Sequence, residues 1–151
     1  MREVRRSALV PYTPAQMYSL VNDVAGYPAF VPWCAASLVT DRSADALTAT
    51  LEIHRAGLAV SLTTRNTLVA GESITMVLVE GPLRAFTGRW DFVPIRAAGA
   101  GGELRGCRVE LRVGFEFRNA ALGLVMGPVF ESSWDSLVDA FVTRANGIYG
   151  G

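Results

Sequence analysis

From Ser37 to Phe117 apolar and polar residues alternate with a period of two, while the flanking stretches repeat nearer 3.6. The alternation predicts strands at about 35–42, 45–55, 58–69, 72–80, 84–94 and 103–117, joined by turns such as Arg55-Ala56-Gly57 and Ala70-Gly71-Glu72. Connections this short make neighbouring strands antiparallel. Within 84–94, Phe86, Gly88, Trp90 and Phe92 share a face; within 103–117, Cys107, Val109, Leu111, Val113, Phe115 and Phe117 do. Arg84, Thr87, Arg89 and Asp91, and Arg108, Glu110, Arg112 and Glu116, fall opposite, so one face of the sheet is apolar and one is wet.

Residues 2–10 read as a first strand ending at Pro11. A helix start follows at once: Thr13 as cap, Pro14 at the first helical position, Gln16 closing a capping box, and Tyr12 and Met17 placed as a hydrophobic staple. Asn22-Asp23 offers a cap for a second short helix ending near Pro28. The chain then enters Tyr27-Pro-Ala-Phe-Val-Pro-Trp-Cys34, which has no charged residue and whose prolines exclude a long helix or a central strand. Such an apolar connector suits the wall of a cavity. Near the C-terminus Asn119 caps a segment through Met126, Gly127-Pro128 breaks or kinks it, and a longer helix runs to Asn146-Gly147. Its stripe is Met126, Phe130, Ser133, Trp134, Leu137, Val138, Phe141, Ala145 and Ile148, with Glu131, Asp135, Asp139 and Asn146 opposite. Only the apolar sheet face matches it in size. The fold class is therefore α+β: a curved antiparallel sheet of about seven strands around a long C-terminal helix, with two short helices after the first strand.

Length and composition narrow the function. With 151 residues, half of them hydrophobic, one domain over 1–151 is expected. Fourteen basic and fourteen acidic residues cancel without forming blocks, so no long-range field draws the chain to DNA or to an anionic membrane. Every basic residue is Arg, which removes Schiff-base lysine chemistry and a Walker-type lysine. Cys34 and Cys107 fit no disulfide framework or zinc pattern, which suits a reducing cytoplasmic location; no signal peptide and no membrane span are expected. The small-residue run 97–102 follows Pro94 and reads as a hairpin loop rather than a phosphate cradle.

Catalytic constellations are thin. His54, the only histidine, lies near a turn and reads as a surface residue; no metal-ligand cluster is apparent, and the carboxylate pairs Glu72/Glu80 and Asp135/Asp139 read as solvated. No catalytic residue, metal or cofactor is expected. What stands out is a surplus of large apolar side chains aimed into one sheet-to-helix space. Singly, each is explained by core packing; together they fit an apolar small-molecule site, with the hairpin Glu80-Gly81-Pro82-Leu83 placed to gate it. The expected cavity and mouth residues are Tyr27, Phe30, Trp33, Leu83, Phe86, Trp90, Phe92, Phe115, Phe117, Met126, Phe130 and Trp134, with Thr64, Asn66, Ser133 and Arg89 as polar groups near a ligand. Tyr27, Phe30 and Leu83 are expected near the mouth.

Particular motifs in this order carry a resemblance: Ala8-Leu9-Val10-Pro11-Tyr12, Met17 to Val24, Tyr27-Pro28-x-Phe30-Val31-Pro32-Trp33-Cys34, Thr63-Thr64-Arg65-Asn66, Gly81-Pro82-Leu83, Gly88-x-Trp90-x-Phe92-x-Pro94, Phe115-Glu116-Phe117, and Ala140-Phe141-x-x-Arg144-Ala145 before Tyr149-Gly150. The chain resembles the START-like (helix-grip) superfamily and, within it, the bacterial RatA family and the coenzyme Q-binding START-domain proteins. The resemblance implies a bound hydrophobic isoprenoid, ubiquinone first, and a respiratory accessory or chaperone role at a cytoplasmic or peripheral inner-membrane location, with transient membrane contact for ligand exchange. It also implies an alternative, a toxin that blocks ribosomal subunit association by binding the large subunit, and thirdly a polyketide cyclase-like enzyme. Neutral net charge weighs against an extended RNA-binding surface, and Arg89, Arg108 and Arg112 are expected to pair with Glu110 and Glu116.

Overall fold

A computed structural model describes residues 1–99 and 101–150. Its elements are β1 (Arg2–Val10), α1 (Pro14–Asn22), a 3-10 turn (Val24–Ala29), β2 (Cys34–Thr40), β3 (Ala46–Arg55), β4 (Leu58–Val69), β5 (Ser73–Glu80), β6 (Leu83–Arg96), β7 (Leu104–Phe117) and α2 (Ala120–Tyr149). All seven strands form one antiparallel sheet in the order β1-β7-β6-β5-β4-β3-β2, so the first strand closes against the last. The loop 97–103 connects β6 and β7; Ala100 within it lies outside the described residues.

The local signals act as chemistry requires. Thr13 Oγ1 accepts from the Gln16 amide at 3.1 Å while Gln16 Oε1 accepts from the Thr13 amide at 2.8 Å, which starts α1 with two satisfied donors. The segment after it differs from a capped α-helix: Asp23 makes no side-chain capping bond, and Pro28 sits inside a 3-10 turn. Pro28 has no amide to donate, and the turn is held on either side of it by Gly26 N–H donating to the Asp23 carbonyl and Phe30 N–H to that of Tyr27.

The long helix shows two further differences. It runs unbroken from Ala120 to Tyr149 with Pro128 inside it, capped by Asn119 Oδ1 accepting from the Leu122 amide at 2.9 Å. Pro128 lacks only the amide that would bond the Leu124 carbonyl, and Leu124 and Val125 are exposed there rather than packed in the core. Ile148 is 47% exposed because the stripe leaves the sheet before the helix ends. The opposite face of α2 is more than solvated. Arg2 binds Glu131 at 3.1 Å, Arg6 binds Asp135 at 3.2 Å and Asp139 at 3.0 Å, and Tyr12 donates to Asn146 at 2.6 Å. These inward-reaching arginines on edge strand β1 tether α2 and blunt the free edge against pairing with another chain.

A candidate site between sheet and helix

The sheet curls over α2, and aromatic side chains fill the contact in two joined groups. Around Phe130 lie Phe115 (ring centroids 4.7 Å), Phe117 (5.7 Å) and Phe86 (6.4 Å), with Trp134 6.1 Å away and Trp33 6.2 Å beyond it. Around Phe141 lie Tyr27 and Phe30 (both 5.3 Å) and Trp90 (5.4 Å), which stacks on Phe92. Phe141 and Phe130 are eleven residues apart on α2, about 16 Å along the axis. Leu83 pairs with Phe117 at the Phe130 end, whereas Phe30 packs on Phe141. The three side chains expected at one mouth thus lie toward opposite ends of the helix.

Between the two groups remains a closed cavity of about 20 Å³, lined by Val24, Tyr27, Ala49, Leu51, Leu62, Thr64, Asn66, Met76, Trp90, Trp134 and Leu137. That holds about one water molecule. Of the expected residues, Tyr27, Trp90 and Trp134 line it; Phe86, Phe92, Phe115, Phe117, Phe130 and Leu83 are buried in the surrounding core, and Met126 is half-buried at its margin. The cavity is apolar except at Thr64, whose hydroxyl donates to Asn66 Oδ1 at 2.7 Å, and at Trp134. The indole N–H groups of Trp33 and Trp134 are buried and donate to no protein acceptor. Ser133 is also buried, but its hydroxyl is spent on the Val129 carbonyl at 2.8 Å, and Arg89 points outward to Asp91.

Beyond the Trp33–Trp134 pair lies an open groove of about 660 Å³, bounded by Phe30, Pro32 and Trp33, by His54 and Arg55 at the β3–β4 turn, and by Ser136, Asp139, Ala140, Thr143, Arg144 and Gly147 on α2. The Arg144 guanidinium stands 5.1 Å over the Phe30 ring. Trp33 on the groove side packs against Trp134 on the cavity side, and Phe30 of the groove against Tyr27 of the cavity. Sequence reading missed this groove because its charged residues are far apart in the chain. It also missed Phe141 as a site residue, although its place in the helical stripe was visible.

Burial governs the titratable groups inside. Desolvation pushes the Cys34 and Cys107 thiols up to about 11, opposed in part by backbone hydrogen bonding at Ala36 and at Val93 respectively, so both are packed thiols and poor nucleophiles. Burial also raises Tyr27, whose hydroxyl donates to the Val21 carbonyl. Among the described residues the buried polar side chains are Thr64, Asn66, Ser73 and Ser133, and no three of His, Cys, Asp and Glu cluster as metal ligands. Among the described residues no helix is long and apolar enough to cross a membrane. On the outer face Arg89 pairs with Asp91 (3.0 Å), Arg108 with Glu110 (3.0 Å) and Arg84 with Glu116 (2.5 Å). Arg112 does not join these pairs: it stands directly between Arg5 of β1 and Arg89 of β6.

The polyketide cyclase/dehydrase and lipid transport family matches residues 10–142. The ribosome association toxin RatA of Vibrio cholerae is 41% identical over 99% of both chains, and that of Escherichia coli K12 is 39% identical over 99% of this chain and 90% of its own. The mitochondrial coenzyme Q-binding protein COQ10 homolog B of Xenopus laevis is 27% identical over 98% of this chain and 59% of its own. In structure, an 18 kDa protein of Caulobacter crescentus matches over the full length of both chains with TM-score 0.76 and 27% identity. The Zhui aromatase/cyclase of Streptomyces matches over 99% of this chain and 98% of its own with TM-score 0.81, at 17% identity a likeness of fold alone. With the seven-stranded sheet wrapped on one long helix and these matches spanning nearly every residue, the chain belongs to the START-like polyketide cyclase/dehydrase and lipid transport family, within its RatA branch.

Proposed function

We propose that the protein binds an apolar isoprenoid lipid, ubiquinone first among candidates, between sheet and α2, and serves as a respiratory accessory or chaperone rather than as a catalyst. The observation that carries this reading is the composition of the interior. Among its apolar walls the cavity is lined by two residues that carry N–H donors, Asn66, whose Oδ1 already takes the Thr64 hydroxyl, and Trp134, whose indole N–H has no protein partner, and a quinone's carbonyl oxygens accept from such donors. At about 20 Å³ the cavity is closed, so loading means parting the Tyr27–Trp33 segment from α2 and joining cavity to groove. The coenzyme Q-binding name of the Xenopus relative supports the ligand class. The test is to purify the protein without detergent, extract it with solvent, and titrate it with ubiquinone while following tryptophan fluorescence. Co-purified quinone and saturable quenching are expected; an extract free of quinone and lipid, with no quenching, overturns the reading.

A second reading, association with the large ribosomal subunit, has its own support. Arg5, Arg112 and Arg89 lie side by side on three adjacent strands, all exposed. Like charges in register cost stability, and among the described residues only Arg89 of the three has a carboxylate partner, so phosphate oxygens would relieve the row. The ribosome association name of the closer relatives points the same way. Co-sedimentation with large subunits that weakens with salt, and weakens further in Arg5→Gln/Arg112→Gln, is expected on this reading. Subunit joining that is untouched at low salt removes it.

A further inference from the structure

We propose that the groove between the Phe30–Trp33 segment, the β3–β4 turn and α2 is a docking site for the phosphate of an acidic phospholipid at a membrane surface. Two independent observations converge on it. The first is charge. Arg55 and Arg144 both line the groove, and among the described residues neither has a carboxylate within ion-pair distance. The carboxylate that does line it, Asp139, is held by Arg6 through both oxygens at 3.0 and 3.1 Å. The uncompensated charge facing the groove is therefore positive, and Arg144 is steadied at its rim by the Phe30 ring.

The second observation is the rim itself. From Val24 to Thr40 the chain has no charged residue. Of this stretch Phe30, Pro32 and Trp33 line the groove, and on either side of them in the chain Pro28, Ala29, Ala35, Ala36 and Leu38 are exposed, Leu38 by 60%. An apolar rim beside two free guanidiniums matches a bilayer interface, where apolar groups enter the acyl boundary and arginines meet anionic headgroups. A groove of about 660 Å³ takes a glycerophosphate head with its first methylenes against Phe30 and Trp33. Docked in this way, the protein has the wall formed by Trp33 and Trp134 turned toward the bilayer. This purpose rests on the lipid-carrier reading; the docking itself does not.

The experiment is co-sedimentation of the full chain with phosphatidylcholine vesicles, with and without phosphatidylglycerol, in the absence of quinone. Binding is expected only with phosphatidylglycerol, falling about tenfold or more in Arg55→Gln/Arg144→Gln and changing little in Arg105→Gln, an arginine outside the groove. Pro32→Asp, which puts a charge into the apolar rim, should weaken binding while far-UV dichroism and melting stay as in the parent chain. Equal binding to neutral vesicles, or undiminished binding by the double variant, overturns the proposal. So does displacement by inorganic phosphate at concentrations matching the lipid phosphate, which would assign the groove to a free anion. Vesicle binding by a protein whose extract holds no quinone or lipid and whose fluorescence ubiquinone does not quench supports docking while overturning the interior reading; quinone carriage with indifference to phosphatidylglycerol does the reverse.

Discussion

Phe141 touches Tyr27, Phe30 and Trp90 from the C-terminal third of α2, and it is fully buried. Phe141→Ala should therefore cost about 3–5 kcal/mol in chemical denaturation, the range for a large aromatic removed from a closed core. At the opposite extreme is Arg112, exposed between two other arginines; Arg112→Gln should stabilise the fold by about 0.2–1 kcal/mol, and added salt should shrink the gain. The thiols make a pH prediction. Cys34 and Cys107 titrate near 11 in the folded chain and nearer 9 when exposed, so the neutral thiols favour the fold below pH 9. That contribution is lost as pH rises through about 11, and raised Tyr27 acts in the same direction. Stability followed by urea denaturation should fall from pH 9 to 11, and thiol labelling at neutral pH should be slow until the protein unfolds.

Helix α1 owes its start to a reciprocal pair of hydrogen bonds, and Thr13→Ala should cost about 1 kcal/mol by removing the side-chain half of it. Strand β7 has a different weak point. A Cβ at Gly106 would lie 2.2 Å from the Val10 carbonyl oxygen, so Gly106→Ala should push β1 off β7 and cost about 1–3 kcal/mol, read as a lower denaturation midpoint. At this scale much was legible in sequence. Alternation gave β4 at its observed bounds and the other strands within about two residues, and the Thr-Pro-x-Gln box gave α1, because both are local rules acting on local residues. Continuity through Pro128 was not legible, since it depends on Leu124 and Val125 being exposed rather than packed in the core. The cavity's small volume, the groove and the Arg5–Arg112–Arg89 row were not legible either: each depends on register or on side-chain fit across elements far apart in sequence. Leu83 and Phe30, expected at one mouth, are separated for the same reason.

For the molecule as a whole, a ligand that occupies the interior must offset the cost of opening it, and binding then stabilises the native state by mass action. At a free concentration a hundredfold above Kd that is about 2.7 kcal/mol, which for a domain of this size is a rise in Tm of roughly 5–10 °C. The sheet order has another consequence, for biosynthesis. β1 is made first, yet its partner β7 spans Leu104–Phe117, and α2, which covers the sheet, is made last. Translation adds about 5–20 residues per second, so for several seconds the apolar face of β3 to β6 is exposed with neither its helix nor its closing strand. The nascent chain is therefore a natural client for a holding chaperone, and one stalled before Ala120 should be captured far more readily than one released complete.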